Sequence, residues 1–175
     1  GSGFLGSHII CALKKKKINE VVCGDLAPNS SLECEYVELD ILKENDLRNK
    51  LADYDIIINC IGQITKPFNI CFKLNSIGIN NLYKAVSMNS TRLIQLSTVA
   101  VYGSLKKCNE KSPLNPETNY ATAKAFAEQI LLDNYLNKNL TILRLSNLYG
   151  SHQLKGVFAY LLKSYFSDRK LEFNN

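Results

Sequence analysis

The sequence predicts an α/β fold, a doubly wound parallel sheet with helices on both faces, and three observations predict it. Short β-branched runs alternate with segments of helical periodicity along the 175 residues, the pattern of parallel strands joined by crossover helices. "YDIIINCIG" is a continuous apolar run, as expected of a strand covered on both faces. Glycines and small polar residues stand at the strand ends, where sheets of this class bind their ligands.

The chain opens "GSGFLGSHII", a glycine turn with no strand ahead of it, although such turns normally follow one. "FLGSHIICALKKKK" places Leu5, Ile9, Ala12 and Leu13 on one helical face. "EVVCGD" reads as a short buried strand ending at Asp25, and "ECEYVELD" alternates into a second ending at Asp40. A helix over "KENDLRNKLA" precedes the "YDIIINCIG" strand, and a long amphipathic helix runs from Phe68 to Met88. "RLIQLST" is the next buried strand. Beyond a polar loop with Pro113 and Pro116, "TNYATAKAFAEQILLDNYL" is a strong helix. "LTILRLS" is a strand, "GVFAYLLKSYF" a helix and "KLEF" a last strand, all within one domain over residues 1–175.

Composition narrows the function classes. With 46% hydrophobic and 21% charged residues the chain is an ordinary globular one, and its apolar runs stop short of the roughly twenty residues of a membrane span. The net charge of +5 and the Lys14 to Lys17 run invite a nucleic-acid reading. That run closes the first helix, where cations complement the dipole, and it has no interleaved aromatics to stack bases. Neither nucleic acid nor membrane is expected as a partner. The six cysteines show no CxxC pair, which argues against a metal site. Cys11, Cys23 and Cys60 read as small core residues, and a reducing cytoplasm is the expected setting.

Two groups of residues carry chemistry. Gly1, Gly3 and Gly6 fit a turn that brings backbone N–H groups to a pyrophosphate at a helix start; the plain alternative is a turn with convenient glycines. Asp25, nineteen residues after Gly6, is placed to accept both adenosine ribose hydroxyls and to repel a 2′-phosphate, favouring NAD over NADP. Asp40-Ile41 either caps the adenine or provides the N-cap of the next helix. Tyr120 and Lys124 lie one helical turn apart, so an ammonium can lower the phenol's pKa from near 10 and make it a base toward a substrate hydroxyl. Ser97 and Thr98 at a strand end either hold the substrate's reacting oxygen or simply terminate the strand.

The ordered set GSGFLG, Asp25, Asp40-Ile41, "NCIG", "LNSIGINNL", "LSTVAVYG", Tyr120-Ala-Thr-Ala-Lys124 and "LRLSNLYG" resembles the extended short-chain dehydrogenase/reductases. Within them it resembles the NAD-dependent epimerase/dehydratase group acting on nucleotide sugars, of the UDP-sugar 4-epimerase kind. The resemblance covers nearly the whole chain and implies a Rossmann-type sheet. Gly3 and Gly6 match the last two glycines of the family's Gly-x-x-Gly-x-x-Gly. The first glycine and first strand are missing, and no C-terminal substrate-binding lobe follows "KLEFNN". The implied chain is a fragment lacking the strand between the Asp25 and Asn59 strands, and the expectation is that alone it aggregates or stays molten.

By this resemblance Tyr120 is the general base, Lys124 its partner and a ligand of the nicotinamide ribose, and Thr98 orients the substrate hydroxyl. Phe4 and Leu5 offer N–H groups to the pyrophosphate, Cys60, Ile61 and Gly62 line the cofactor NAD, and Asn75 supports Lys124. Ser97 and Asn147 are the remaining substrate-binding candidates, Asn147 toward the phosphate of the sugar nucleotide. Arg144 and Tyr149 are expected to be scaffold. The family's 4,6-dehydratases follow the catalytic Thr with Asp-Glu, and its decarboxylases keep a Glu; here Val99 and Ala100 follow Thr98. Leu145 and "IGQ" are smaller departures, at a usual Pro and a usual Ala-Ala. The implied activity is NAD-dependent epimerisation, with 4-ketoreduction or a non-catalytic dinucleotide-binding protein as alternatives. A homodimer is implied for the intact protein.

Overall fold

Gly3 leaves the chain extended (ψ 178°) and opens helix α1, Phe4–Lys15, with no side-chain cap. The computed structural model describes residues 1–18, 20–62, 67–87, 90–134, 139–153 and 156–167. The lysine run closes α1 as expected: Lys14 and Lys15 occupy the last turn, and Lys17 takes the left-handed conformation (φ 62°) that ends it. The buried face differs from the periodicity reading. Gly6 and Ile10 are buried, whereas Ala12 and Cys11 are exposed. The stripe is rotated by one position because Ile10, not Ile9, meets Val21 and Cys23. Cys11 is therefore not a core residue, and Cys60 is half-buried, while Cys23 and Cys71 are buried.

Strand β1, Val22–Asp25, pairs in parallel with β2, Glu35–Glu38. Strands β3 (Ile56–Asn59), β4 (Arg92–Thr98) and β5 (Leu140–Leu145) form a second parallel sheet in the order β3-β4-β5. Among the described residues no ladder joins β1 to β3. The β3 run is correspondingly less covered than its apolar sequence implies: Ile56 is 55% exposed, and among the described residues β3 is hydrogen-bonded to β4 alone.

Helix α2, Glu44–Leu51, has Lys43 rather than Asp40 at its N-cap. Leu47 and Leu51 of α2 join Ile79, Leu82 and Val86, Leu93 of β4, and Ala127 and Leu131 in the main core. The long helix expected from Phe68 is present but not uniform. It runs as α3, Phe68–Lys73, a single π-turn, Leu74–Gly78, and α4, Ile79–Val86. Helix α5, Asn119–Asn134, follows the polar loop, and α6, Val157–Phe166, follows β5. The ends of the readings that reach Met88 and residues 135–136, and the strand expected over 170–173, lie outside the described residues.

Candidate functional site

The glycine turn closes on itself and on β1. A Cβ on Gly6 would stand 2.3 Å from the carbonyl oxygen of Gly1, so only glycine fits, while the space over Gly3 is open to 4 Å. The N–H groups of Phe4 and Leu5 lie in the first turn of α1, where no intrahelical acceptor exists. The turn thus leaves a helix start with exposed donors and room above it, which fits a pyrophosphate. Asp25, at the end of β1, accepts from the Gly1 nitrogen and the Ser2 N–H at 2.8 Å each, and from the Leu26 N–H at 2.8 Å. Asp25 is an anion tied to the glycine turn.

The loop after β5 covers the same helix start. Ser151 Oγ is 3.4 Å from His8 Nε2, and His8 Nδ1 is 2.7 Å from the Phe4 carbonyl. Sequence reading missed this contact, since nothing local to His8 or Ser151 announces it. Asn147 and Tyr149 sit exposed on that loop; the Tyr149 ring packs on Phe158, 4.6 Å away.

The second group gathers where α5 packs against β4, the π-turn and the short 3-10 turn Val99–Tyr102. Thr118 starts α5, its hydroxyl accepting from the Ala121 N–H at 3.1 Å. Ala121, Ala123 and Ala127 are fully or nearly fully buried, and their small side chains let the helix approach the sheet. Lys124 uses that proximity. It is only 3% exposed, and its ammonium donates to the carbonyls of Ile61 (3.1 Å) and Leu96 (3.3 Å). A Cβ on Gly62 would lie 2.8 Å from Lys124 Nζ, so the residue after Ile61 is pared to backbone where the ammonium passes. Burial lowers the Lys124 pKa to about 8, against the opposing pull of Cys71, Cys60 and Glu128.

Tyr120 departs from expectation. Its phenol is pushed above the usual value, first by burial and then by the Cys71 thiol. Lys124 does not offset this, because its ammonium is turned to two carbonyls. Thr98 opens the 3-10 turn, its Oγ1 accepting from the Ala100 N–H at 3.2 Å, which leaves the hydroxyl proton to be donated elsewhere. Asn75 stands in the π-turn, 1% exposed. Its amide donates to the Cys71 carbonyl at 2.9 Å, and its Oδ1 is a buried acceptor with no partner among the described residues. Single π-turns of this kind frequently mark functional sites.

Three expected site residues are placed otherwise. Ile41 is 3% exposed and packs in the main core, so its side chain does not cap an adenine. Asp40 does not N-cap α2; its Oδ1 accepts from the Leu42 N–H at 2.9 Å, a local turn. Ser97 is 6% exposed and gives its hydroxyl to Glu128, so it does not reach for substrate. Period-two alternation explains the split between Ser97 and Thr98, which leave opposite faces of β4. Glu128 itself was missed. The available signal was its spacing, one turn beyond Lys124 on the helix face that carries Lys124.

A glycine-lined helix start beside an anionic strand end, on a parallel sheet, defines a dinucleotide-binding domain of the Rossmann class. Residues 1–173 match the NAD dependent epimerase/dehydratase family, and the chain belongs to that family. It is similar to the UDP-glucose 4-epimerase of Yersinia enterocolitica, 29% identical over 179 residues, covering 87% of this chain and 53% of the relative. Among solved structures it resembles a UDP-glucuronic acid 4-epimerase from Bacillus cereus in complex with NAD, with TM-score 0.85 and 27% identity over 96% of this chain and 61% of that one. The dTDP-glucose 4,6-dehydratase from Bacillus anthracis, also in complex with NAD, aligns with TM-score 0.86 and 25% identity over 97% of this chain and 60% of that one. The chain spans about half the length of the curated relatives it matches, from 44% to 55% of the first three. Among the described residues no helix is long and apolar enough to cross a membrane.

Proposed function

We propose that the full-length protein is an NAD-dependent nucleotide-sugar epimerase, with Tyr120, Lys124 and Thr98 as its catalytic residues. The observation that carries this reading is the seat of Lys124. A buried ammonium bridges the Ile61 carbonyl, beside Gly62, and the Leu96 carbonyl, two residues before Thr98, and so links the cofactor side of the sheet to the substrate side. NAD, when bound, supplies the acceptor and donor for hydride. Gly3, Phe4, Leu5 and Gly6 hold its pyrophosphate and Asp25 its ribose hydroxyls. Cys60, Ile61 and Gly62 line it, and Asn75 supports Lys124.

Tyr120, once ionised, takes the proton of a sugar hydroxyl and later returns it, while the Thr98 hydroxyl donates to the same oxygen. Because burial raises the Tyr120 phenol, its ionisation depends on cationic charge that arrives with the bound ligands. Dehydration is disfavoured. The two positions after Thr98, in the 3-10 turn, are Val99 and Ala100, neither of which moves a proton.

Within the full-length protein these residues form the dinucleotide-binding part, and a substrate lobe belongs to sequence outside them. Asn147, on the loop over the helix start, is the candidate contact to a nucleotide phosphate. A homodimer through α3 and α5 fits the exposed Phe68, Phe72 and Phe126, of which Phe72 and Phe126 stack at 5.7 Å. A reducing cytoplasm suits six unpaired cysteines. The test is to purify the full-length protein, ask whether NAD co-purifies, and follow a panel of nucleotide sugars by proton NMR. Epimer interconversion without added NAD supports the proposal; NADH-dependent consumption of a keto-sugar moves the assignment to a reductase, and silence in both to a non-catalytic protein.

A further inference from the structure

Thr98 belongs to the end of β4, whereas Tyr120 and Lys124 belong to α5, so their common geometry must be set by whatever joins those two elements. One carboxylate does so. Glu128 is 0% exposed, one turn beyond Lys124 on α5, and accepts the hydroxyl of Ser97, the residue before Thr98. Arg144, on β5 directly across from Ser97 in register, donates through Nε to both Glu128 oxygens (3.2 and 3.1 Å) and through Nη2 to Oε2 at 2.7 Å. Arg144 Nη1 then reaches the Tyr102 hydroxyl at 2.6 Å and the Glu110 carbonyl at 3.2 Å. Tyr102 closes the 3-10 turn that Thr98 opens. Thr98 is thus bracketed, at the preceding residue and at the far end of its turn, by groups that converge on Glu128 and Arg144.

Resting on the function proposed above, we propose that Glu128 is a positioning residue, whose carboxylate, locked by Ser97 and Arg144, fixes Thr98 against Tyr120 and Lys124. A buried ion pair is weak as a source of stability, since desolvation offsets most of its attraction. What it supplies here is direction: a guanidinium in a two-oxygen grip and a hydroxyl admit one relative placement of α5, β4 and β5. Glu128 also acts on Lys124 through its charge. The groups favouring the Lys124 cation are Cys71 from α3, Cys60 after β3 and Glu128 on its own helix, against burial.

The test uses the full-length protein with lysine labelled at 13Cε, the Lys124 signal being assigned by its loss in Lys124→Met. Glu128→Gln keeps the shape and removes the charge, and is expected to lower the Lys124 pKa. Ser97→Ala leaves the ion pair and removes the tie to β4, and is expected to cut kcat roughly ten- to hundredfold with KM and NAD affinity unchanged. Lys124 still titrating at about 8 in Glu128→Gln, or wild-type kcat in Ser97→Ala, overturns the inference. Tyr120→Phe, run alongside, separates the two readings. Full activity in that variant sinks the proposed function, whereas an inactive Tyr120→Phe with an unaffected Ser97→Ala sinks only the role of Glu128. If the wild type turns over no nucleotide sugar, the proposed function fails and the Lys124 titration alone decides whether Glu128 acts on it.

Discussion

Lys124 should carry a measurable penalty to the fold, and replacing it with Met exposes that penalty. The ammonium is 3% exposed, and burial takes its pKa from 10.5 to about 8. At about 1.4 kcal/mol per pH unit, keeping the group charged inside the protein costs about 3 kcal/mol at pH 7. The lost bonds to Ile61 and Leu96 complicate a comparison at one pH, but they do not depend on pH. The pH dependence does isolate the charge. Between about 8 and 10.5 the unfolded chain holds a proton at Lys124 that the folded protein has released, so stability rises with pH in that window. Below about 8 both states are protonated and the whole cost is present. Relative to Lys124→Met, the wild type is therefore expected to gain about 2.5 kcal/mol between pH 7 and pH 10. Urea unfolding of the full-length proteins, followed by circular dichroism at both pH values, measures the difference, and titrations common to both proteins cancel. A difference that stays flat across this range would refute the dry seat of the ammonium and with it the electrostatic part of the mechanism.

The same titration predicts that kcat falls above about pH 8, as Lys124 loses the ammonium proposed to hold the nicotinamide ribose; a pH–rate profile flat to pH 10 contradicts it. Tyr120→Phe should lower kcat by on the order of a hundredfold or more while NAD affinity, read by fluorescence titration, holds. Gly6→Ala forces a methyl to within 2.3 Å of the Gly1 carbonyl and should weaken NAD binding in a calorimetric titration, with sugar binding unaffected. Asp25→Asn removes a carboxylate that accepts from the Ser2 and Leu26 N–H groups and should shift the NADP-to-NAD affinity ratio toward NADP by roughly tenfold.

What was legible in the sequence is what local spacing dictates. The strand over Arg92–Thr98 and the helix starting at Asn119 follow from composition and period, and they carry Thr98 at the end of β4 and Tyr120 and Lys124 on α5, which packs against β4. The π-turn over Leu74–Gly78 was not legible, since nothing in the residue types Leu-Asn-Ser-Ile-Gly separates a π-turn from ordinary helix. Ile41 and Ser97 misled for a shared reason. Each adjoins a residue in the expected position at a strand end, and sequence proximity says nothing about which of two neighbours turns inward. The structure answers through their partners: Ile41 lies under Gly78, where a Cβ would come within 2.8 Å of Ile41 Cγ2, and Ser97 lies against Glu128.

The physics of the site follows from the same distinction. Sequence reasoning assigned the Tyr120–Lys124 pair a simple exchange, in which the cation lowers the phenol. In the structure the cation is itself destabilised, to about 8, and the phenol is raised, so neither group is in its reactive form at little cost. A site of this kind gains activity from charge that arrives with its ligands, while Cys71, Cys60 and the carboxylate of Glu128 favour the Lys124 cation against burial. Removing that carboxylate should therefore narrow the working pH range from the alkaline side as well as loosen Thr98, a loss that the pKa of an isolated lysine, near 10.4, gives no reason to expect.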